Sequence, residues 1–382
     1  MCIDELKKII KSAGIVGAGG AGFPTHIKID PRAKMILLNC AECEPLLKVH
    51  QQMLARFSHE ILSALNTLSE ILNADVIIAI KKTFKTTIAS VYDAKADKYP
   101  RIRIELLEAT YPSGDEILMI HETLGIVIPP GSLPIESGCI VLNVETVYNI
   151  YHALTGGKAV SHKWLSIAGE VANPMTAQIP VGMTIIEAVE KAGNVTIENP
   201  AFLVGGPMMG SLAAGSDKIE KTTNAIIVLP ADHTLVMNAK SARRVQLNRV
   251  ASACCHCRAC TDMCPRYLLG YPIEASEIMR AMSARDTNAS VFHGAMYCSL
   301  CGVCEMIACP QSLAPRALIK TVREAFAANK IRPEKCDAAD ISPMLPYRQV
   351  DVNRLKIRLG LAKYDFDTPM VDTSAESTAS TH

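Results

Sequence analysis

The sequence has few aromatic residues, no excess of charge of either sign and no long hydrophobic run. Phe, Trp and Tyr make up 5% of its 382 residues, and 39 basic residues are balanced by 38 acidic ones. The balanced charge argues against a nucleic-acid-binding surface and against anchoring to an anionic membrane. Because no window reaches about 18 consecutive apolar residues, we expect no membrane-spanning helix. The N-terminus has no basic region followed by an apolar core, so no secretory signal is expected.

Cysteine, in contrast, is abundant and unevenly placed. The chain has 14 cysteines, and nine of them lie between Cys254 and Cys309. Clustered cysteines in a long chain without a secretory signal indicate ligation of a metal or cofactor rather than a disulfide framework. The other cysteines have no ligand spacing and are interpreted as structural; they are Cys2, Cys40, Cys43, Cys139 and Cys336.

Four segments follow one another along the chain. Alternating helical and strand patterns predict an α/β domain over residues 1–158. Residues 159–238 are rich in β-branched residues, Gly and Pro and predict a small α+β module. Residues 239–330 are interpreted as a helical segment that carries the cysteine runs. Residues 331–382 form a C-terminal extension whose Ser/Thr-rich end, 373–382, is predicted to be disordered. The expected elements are helices at 4–13, 47–72, 83–95 and 184–192, and strands at 33–39, 75–80 and 101–106.

Two cysteine runs, about 44 residues apart, form an internal repeat. The first is Cys254-x2-Cys257-x2-Cys260-x3-Cys264-Pro265, the spacing of bacterial ferredoxins with two 4Fe-4S clusters. The second is Cys298-x2-Cys301-x2-Cys304-x4-Cys309-Pro310, which has one extra residue before its last cysteine. Three thiolates at three-residue intervals can wrap one cluster, and the proline keeps the next segment from folding back as a helix.

The spacing predicts crossed ligation, because in two-cluster proteins the fourth cysteine of each run ligates the other cluster. Zinc is the alternative, since four-cysteine zinc sites also use C-x2-C pairs. Two such pairs would suffice for zinc, however, and would not explain two successive four-cysteine runs that end in Pro. Cys255 is interpreted as a spare thiol. The expected ligands are Cys254, Cys257, Cys260 and Cys309 for one cluster, and Cys264, Cys298, Cys301 and Cys304 for the other.

A glycine-rich loop, Gly17-Ala18-Gly19-Gly20-Ala21-Gly22-Phe23-Pro24-Thr25, formally matches the dinucleotide-binding fingerprint. A Rossmann loop should follow a strand directly, whereas here a helix precedes the loop. From the pattern alone, the loop is either a phosphate site built from backbone amides or a plain flexible turn.

This loop resembles the flavin loop of the NADH-binding subunit of respiratory complex I and, more closely, that of the C subunit of the Rnf electron-transport complex. Three further blocks resemble the same family in the same order: Asn39-Cys40-Ala41-Glu42-Cys43-Glu44-Pro45, Tyr111-Pro112-Ser113-Gly114-Asp115-Glu116 and Asn143-Val144-Glu145-Thr146. The stretch from Ser166 to Thr184 resembles a soluble-ligand-binding β-grasp domain. The resemblance implies an α/β Rossmann-like flavin domain, then a β-grasp α+β module and a helical dicluster ferredoxin-like domain.

In this family the blocks bind FMN and admit NADH, so the resemblance implies a role for each matching residue. Glu44 and Phe23 would face the nicotinamide nucleotide. The chain has Ala41 where the complex I pattern is acidic and Ile29 where it is aromatic, and these departures weaken the case for NADH more than for FMN. The FMN phosphate would be surrounded by Gly17, Gly19, Gly20 and Lys28, and the rest of the flavin contacted by Asn39, Glu42, Gly114, Glu116 and Asn143.

The cysteine region distinguishes among the relatives. The stretch from Cys257 to Gly270 and the longer spacing before Cys309 resemble the cobalamin reductases of propanediol-utilisation microcompartments. Rnf C subunits usually have the shorter spacing, and many have a long extension rich in Ala and Lys that this chain lacks.

The resemblance implies an oxidoreductase that passes electrons from NADH through FMN and two 4Fe-4S clusters to a corrinoid. Its expected partners are a corrinoid or corrinoid enzyme and microcompartment shell proteins, and its expected location is the cytoplasm or the interior of a microcompartment. One alternative is an Rnf C-like peripheral subunit on the cytoplasmic face of the membrane. Another is a non-catalytic, cluster-carrying interaction subunit with a degenerate flavin site.

Overall fold

The computed structural model describes residues 1–20, 22–286 and 289–372, and its strands form three sheets. The strands are β1 (Met35–Cys40), β2 (Asp75–Lys81), β3 (Ile102–Leu107), β4 (Thr110–Tyr111), β5 (Cys139–Asn143), β6 (His162–Gly169), β7 (Met175–Pro180), β8 (Pro200–Val204), β9 (Ser211–Ala213), β10 (Ala225–Pro230), β11 (Val350–Asp351) and β12 (Met370–Val371).

Helices cover the sheets and make up most of the cysteine-rich region. They are α1 (Ile3–Ser12), α2 (Thr25–Lys28), α3 (Val49–Arg56), α4 (Ser58–Leu72), α5 (Lys85–Lys95), α6 (Glu116–Leu124), α7 (Val144–Gly156), α8 (Ile185–Glu190), α9 (Thr234–Lys240), α10 (Arg243–Ala253), α11 (Ala259–Asp262), α12 (Pro265–Leu268), α13 (Ala275–Ala284), α14 (Ala289–His293), α15 (Pro315–Ala328) and α16 (Val352–Arg358).

The first sheet is parallel, with strand order β3-β2-β1-β5. Strands β1 and β2 are buried along almost their whole length, which explains their continuous apolar runs. Because parallel strands end at the same edge, Asn39 and Asn143 become register partners at the carboxyl ends of β1 and β5. The sheet therefore brings two sequence-predicted flavin residues side by side.

The single helix expected at 47–72 is wrong, because α3 and α4 are separate helices that meet at Phe57. Phe57 leaves the helical region with φ −114° and ψ 31°. Its ring packs against Tyr148, with centroids 4.7 Å apart, and against Trp164 at 6.0 Å. The apolar periodicity of the sequence continues through this bend, so the periodicity did not indicate that the helix breaks at Phe57.

The second sheet is mixed, with order β12-β7-β6-β10-β8-β9. Helix α8 packs on it and begins at Thr184, whose hydroxyl and the Glu187 carboxylate form a reciprocal capping box. The C-terminal extension returns to the earlier parts of the chain, since β12 pairs with β7 and β11 pairs with β4. The stretch 373–382, predicted to be disordered, lies outside the described residues.

A buried ion pair joins the first sheet layer to the second. The Lys163 ammonium on β6 contacts the Glu145 carboxylate near the start of α7, and both side chains are 1% exposed. The Glu145 carboxylate also accepts a hydrogen bond from the backbone N–H of Trp164 at 2.9 Å. The Lys163 ammonium also donates to the Trp164 carbonyl at 2.7 Å. The Glu145 carboxylate takes both of these donors from the second module, so the pair ties the two modules together.

The cysteine-rich region packs through α11, α13 and α15 around a small apolar core that includes Ile278, Ile319 and Val322. Within residues 1–20, 22–286 and 289–372, no helix has the length and apolar character needed to cross a bilayer.

Candidate functional site

Two cavities gather the cysteines of the two runs in a crossed arrangement. The outer cavity, of about 140 Å³, is lined by Cys254, Cys257 and Cys260 of the first run together with Cys309 of the second. The inner cavity is smaller and is lined by Cys298, Cys301 and Cys304 of the second run together with Cys264 of the first. Each cavity therefore presents the four thiols predicted for it, the donor set that a 4Fe-4S cluster requires, and the eight residues stay our predicted ligands. Cys255, interpreted as a spare thiol, also lines the outer cavity.

The two ligand loops repeat one backbone conformation. His256, between the first two cysteines of the first run, has φ 56°, and its counterpart Leu300 in the second run has φ 58°. Arg258 follows Cys257 with φ 63°, and its counterpart Gly302 has φ 82°. Left-handed conformations at non-glycine residues are costly, and their recurrence at matched positions indicates a functional constraint on both loops.

The extra residue before Cys309 is accommodated by a π-helical turn over Cys304–Ala308. The corresponding part of the first run is the short helix α11. The hydrogen bond of a π turn joins residues five apart instead of four, so the extra residue widens the turn and Cys309 keeps its position. Cys309 therefore lines the outer cavity in spite of the longer spacing.

The outer cavity has the more accessible thiols. Cys257 is exposed and Cys254 half-buried there, although Cys260 and Cys309 are as buried as the inner thiols Cys264 and Cys301. Burial raises the pKa of Cys264 to about 12, so without a bound metal this thiol keeps its proton. Cluster binding must therefore expel protons from the ligands. The outer cavity is the one that solvent and partners can reach.

Backbone amides already donate to ligand sulfurs in both sites. The Leu313 N–H donates to Cys309 Sγ at 3.3 Å, and the Leu300 N–H donates to Cys298 Sγ at 3.3 Å. Such hydrogen bonds stabilise the thiolate form and influence cluster potential.

The glycine-rich loop is a tight turn held at its base. The Gly17 N–H donates to the Phe23 carbonyl at 2.9 Å, and the Ala18 N–H donates to Thr146 Oγ1 at 3.1 Å. The N–H groups of Gly19 and Gly20 are exposed and have no acceptor among the described residues. Free amides on a fixed turn suit a phosphate, so the loop fits the FMN phosphate that the resemblance implies.

Gly19 lies directly against the side-chain amide of Asn143, and a Cβ at Gly19 would overlap that amide. Asn143 precedes α7, and its side chain makes no capping hydrogen bond to the helix. The Asn143 side-chain amide is therefore available to a ligand. A side chain at position 19 would displace this amide, which explains why the loop needs glycine there.

A Gly19→Ala variant is expected to bind FMN roughly tenfold or more weakly, a loss of about 1.4 kcal/mol, because Asn143 must move out of its position. Titration of the apoprotein with FMN, followed by flavin fluorescence, measures the change. Gly156→Ala is the matched control, since a Cβ there meets only the Lys158 side chain at 3.6 Å. Equal affinity in the two variants would contradict this role for Gly19.

The second and third blocks meet at the carboxyl edge of β1. Asn39 Nδ2 donates to the Gly114 carbonyl at 2.9 Å, and Asn39 Oδ1 accepts from the Ala41 N–H at 3.1 Å. The Lys28 ammonium pairs with the Glu116 carboxylate at 3.3 Å. All four sequence blocks thus converge on one edge of the sheet, with Phe23 46% exposed beside them.

The two acidic residues predicted in the second block have different surroundings. The Glu42 carboxylate accepts from the His50 and Gln51 N–H groups at 2.8 and 3.1 Å and so caps the start of α3. Glu44 Oε2 accepts from the Met208 N–H at 2.9 Å, and Glu44 Oε1 is buried without a partner among the described residues. Burial raises the pKa of Glu44 to about 7. The structure therefore leaves an unsatisfied carboxylate oxygen on Glu44, whereas each oxygen of Glu42 already accepts one hydrogen bond.

The third block also contacts the inner cavity. The Tyr111 hydroxyl donates to the Cys301 carbonyl at 2.5 Å. Asp115 caps α6 and accepts from the Arg266 guanidinium at 2.9 and 3.1 Å, and Arg266 follows Cys264 by two residues. These contacts hold the inner ligand loops beside the flavin blocks.

Sequence reasoning missed several of these residues. Thr146, Tyr111 and Asp115 lie within the quoted blocks, and their position there was a usable signal. Arg266 lies after a Cys-Pro pair and had no motif of its own. Its partner is 151 residues away in sequence, which no local pattern reveals.

Three family models match successive parts of the chain. The Nuo51 FMN-binding domain matches residues 10–152, the SLBB domain 165–211 and the 4Fe-4S dicluster domain 253–314. Together they cover the flavin blocks, part of the second sheet and both cysteine runs.

Comparison with curated proteins gives relatives over nearly the whole chain. The cobalamin reductase PduS of Salmonella typhimurium is 35% identical over 373 residues, which is 97% of this chain and 82% of that protein. PduS of Citrobacter freundii is also 35% identical, and the match covers 96% of this chain and 81% of that protein. The C subunit of the Na(+)-translocating ferredoxin:NAD(+) oxidoreductase complex of Acetobacterium woodii is 29% identical, over 70% of this chain and 59% of that protein.

Among solved structures, an NAD+-reducing [NiFe]-hydrogenase in the H2-reduced state matches with a TM-score of 0.55 and 19% identity, over 86% of this chain and 62% of that chain. This likeness concerns the fold alone. The family matches and the geometry agree that the chain is an electron-transfer oxidoreductase with FMN and 4Fe-4S clusters as its cofactors.

Proposed function

The chain belongs to the family of the cobalamin reductase PduS, and on that premise we propose that it reduces a corrinoid with electrons taken from NADH. The observation that carries the proposal is the placement of the inner cavity against the flavin blocks, through Tyr111–Cys301 and Asp115–Arg266. A redox protein needs such a short connection between the site that takes in an electron pair and the site that passes single electrons on.

FMN, when bound, accepts a hydride and releases single electrons, which the clusters carry. The residues of this chain bind and orient these groups. The free N–H groups of Gly19 and Gly20, with Gly17 and Lys28, would hold the FMN phosphate. The remaining flavin contacts would come from the carboxyl edge of the first sheet, at Asn39, Glu42, Gly114, Glu116 and Asn143.

The nicotinamide nucleotide would lie on the outer side of the flavin blocks. Phe23 offers an exposed ring there, and Glu44 offers a buried carboxylate oxygen without a protein partner among the described residues. Buried polar atoms are rarely left unpaired, so a ligand hydroxyl or amide is a suitable donor for Glu44.

Electrons would leave through the outer cavity, because its ligands Cys254 and Cys257 are accessible whereas Cys264 and Cys301 are buried.

We further propose that the modules span residues 1–158, 159–238 and 239–330, followed by the extension 331–382. The first would be Rossmann-like, since its sheet is parallel, and the second a β-grasp fold with α8 on its sheet.

The proposed partners are NADH and a corrinoid, free or held by a corrinoid enzyme. The proposed location is the cytoplasm or the interior of a bacterial microcompartment, with shell proteins as neighbours. The likeness to the Acetobacterium woodii protein favours one second candidate, an Rnf C-like subunit that exchanges electrons with a larger complex.

The test is an anaerobic titration of the reconstituted full-length protein with NADH, followed by addition of cob(II)alamin. We expect bleaching of the flavin absorbance by NADH and then consumption of the corrinoid absorbance. No bleaching would remove the NADH-dependent activity and favour a non-catalytic cluster carrier. Bleaching without corrinoid reduction would favour the Rnf C-like candidate.

A further inference from the structure

Arg316, in the first turn of α15, lines the inner cavity beside the cysteine thiols. Its Nε atom is buried and has no hydrogen-bond partner among the described residues. A buried donor without a partner is destabilising, so a position that keeps one is usually completed by an acceptor from outside the protein. The cavity that Arg316 lines offers the place for such an acceptor.

The guanidinium is held in position by the middle module. Arg316 Nη1 donates to the Met208 carbonyl at 2.7 Å. Met208 is fully buried, and its own backbone N–H donates to the Glu44 carboxylate at 2.9 Å. The Met208 residue is therefore fixed between a predicted nucleotide-facing carboxylate and an arginine of the inner cavity.

The ligand loop of the inner cavity lies on this arrangement. A Cβ on Gly302, which separates Cys301 from Val303, would lie 3.1 Å from the Met208 carbonyl oxygen and 3.4 Å from Arg316 Cδ. The nearest acidic side chain of the π turn, Glu305, is already engaged with the Ala317 N–H at 3.1 Å. Glu305 is near enough to act on the Arg316 charge, but Arg316 Nε makes no hydrogen bond to it or to any other described residue.

We propose that Arg316 donates its Nε–H to a sulfur of the inner 4Fe-4S cluster and raises the reduction potential of that cluster. The reduced cluster carries one more negative charge than the oxidised cluster, so a nearby cation and hydrogen bond stabilise the reduced form more. The Met208 carbonyl positions the guanidinium, which gives the middle module a role in electron transfer besides spacing. The inference depends on the clusters and not on the identity of the final acceptor.

The test is a potentiometric titration of the reconstituted protein with detection of each reduced cluster by EPR spectroscopy, on Arg316→Gln and Arg316→Lys. We expect the inner cluster of Arg316→Gln to be reduced at a lower potential than in the unmodified protein, with the outer cluster unchanged. Arg316→Lys keeps the charge and loses the Nε–H, so its potential should lie between the two.

Lys320→Gln is the matched control, because Lys320 lies one turn further along α15 with a 56% exposed side chain paired to Glu324. Removal of this charge should leave both potentials unchanged. The proposal is overturned if Arg316→Gln has full iron content and an unshifted inner potential, or if Lys320→Gln shifts it equally. Where Arg316→Gln does not assemble the inner cluster, an unshifted potential in Arg316→Lys overturns the hydrogen bond.

Discussion

A Cys309→Ala variant is expected to lose the cluster of the outer cavity and keep the cluster of the inner cavity, although Cys309 belongs to the second cysteine run. The reason is that Cys309 lines the outer cavity with Cys254, Cys257 and Cys260. Without Cys309, three of the predicted ligands remain, and one side of a cluster that is already accessible loses its ligand. Iron and sulfide content should fall by about half, in line with one cluster of two.

The complementary variant, Cys264→Ala, should remove the other cluster, because Cys264 lines the inner cavity. Cys336→Ala is the control, since Cys336 is exposed and belongs to neither run. Reduced-state EPR spectra of these three variants and of Cys298→Ala, which removes another thiol of the inner cavity, assign each signal to a cavity. If Cys309→Ala removed the same signal as Cys298→Ala, each run would bind its own cluster and crossed ligation would be wrong.

A Lys163→Met variant is expected to lower the free energy of unfolding by about 3–5 kcal/mol, because it leaves the Glu145 carboxylate buried without its cation. The loss falls at the junction of the first two modules, where Glu145 also accepts from the Trp164 N–H. Chemical denaturation of the apoprotein, followed by the fluorescence of its one Trp, measures the effect.

Two further variants separate this effect from simple loss of a lysine. Lys82→Met removes a lysine that pairs with Glu108 at the surface, with both side chains more than half exposed, and should change stability by less than about 1 kcal/mol. The double variant Lys163→Met with Glu145→Leu should recover much of the loss, because no unpaired charge remains. Equal losses for Lys82→Met and Lys163→Met would contradict the role assigned to the buried pair.

The cysteine spacing was the most informative part of the sequence. Ligand runs are local, so residue order alone is enough to predict the ligands from Cys254 to Cys264 and from Cys298 to Cys309. The exchange of the last cysteine stays a prediction, and the lining of the two cavities is consistent with it. The structure adds what spacing cannot give: the matched left-handed residues His256 and Leu300, and the π turn that absorbs the extra residue before Cys309.

The proposed flavin residues rest on the resemblance of four blocks to a known family. Their types are ordinary, and the contacts that unite them join distant parts of the chain, as Asn39 with Gly114 or Ala18 with Thr146. Arg316 had no motif of its own, since its contact with Met208 arises from packing between modules. The helix break at Phe57 was missed for a similar reason, because ring packing overrides an unbroken apolar period.

The central claim is that electrons from NADH reach a corrinoid by way of the cluster in the outer cavity. The direct test is NADH-dependent corrinoid reduction by the full-length Cys309→Ala protein, with flavin absorbance recorded in the same anaerobic experiment. We predict that NADH still bleaches the flavin and that corrinoid reduction falls to background. Corrinoid reduction at the rate of the unmodified protein would show that the outer cluster is not on the path.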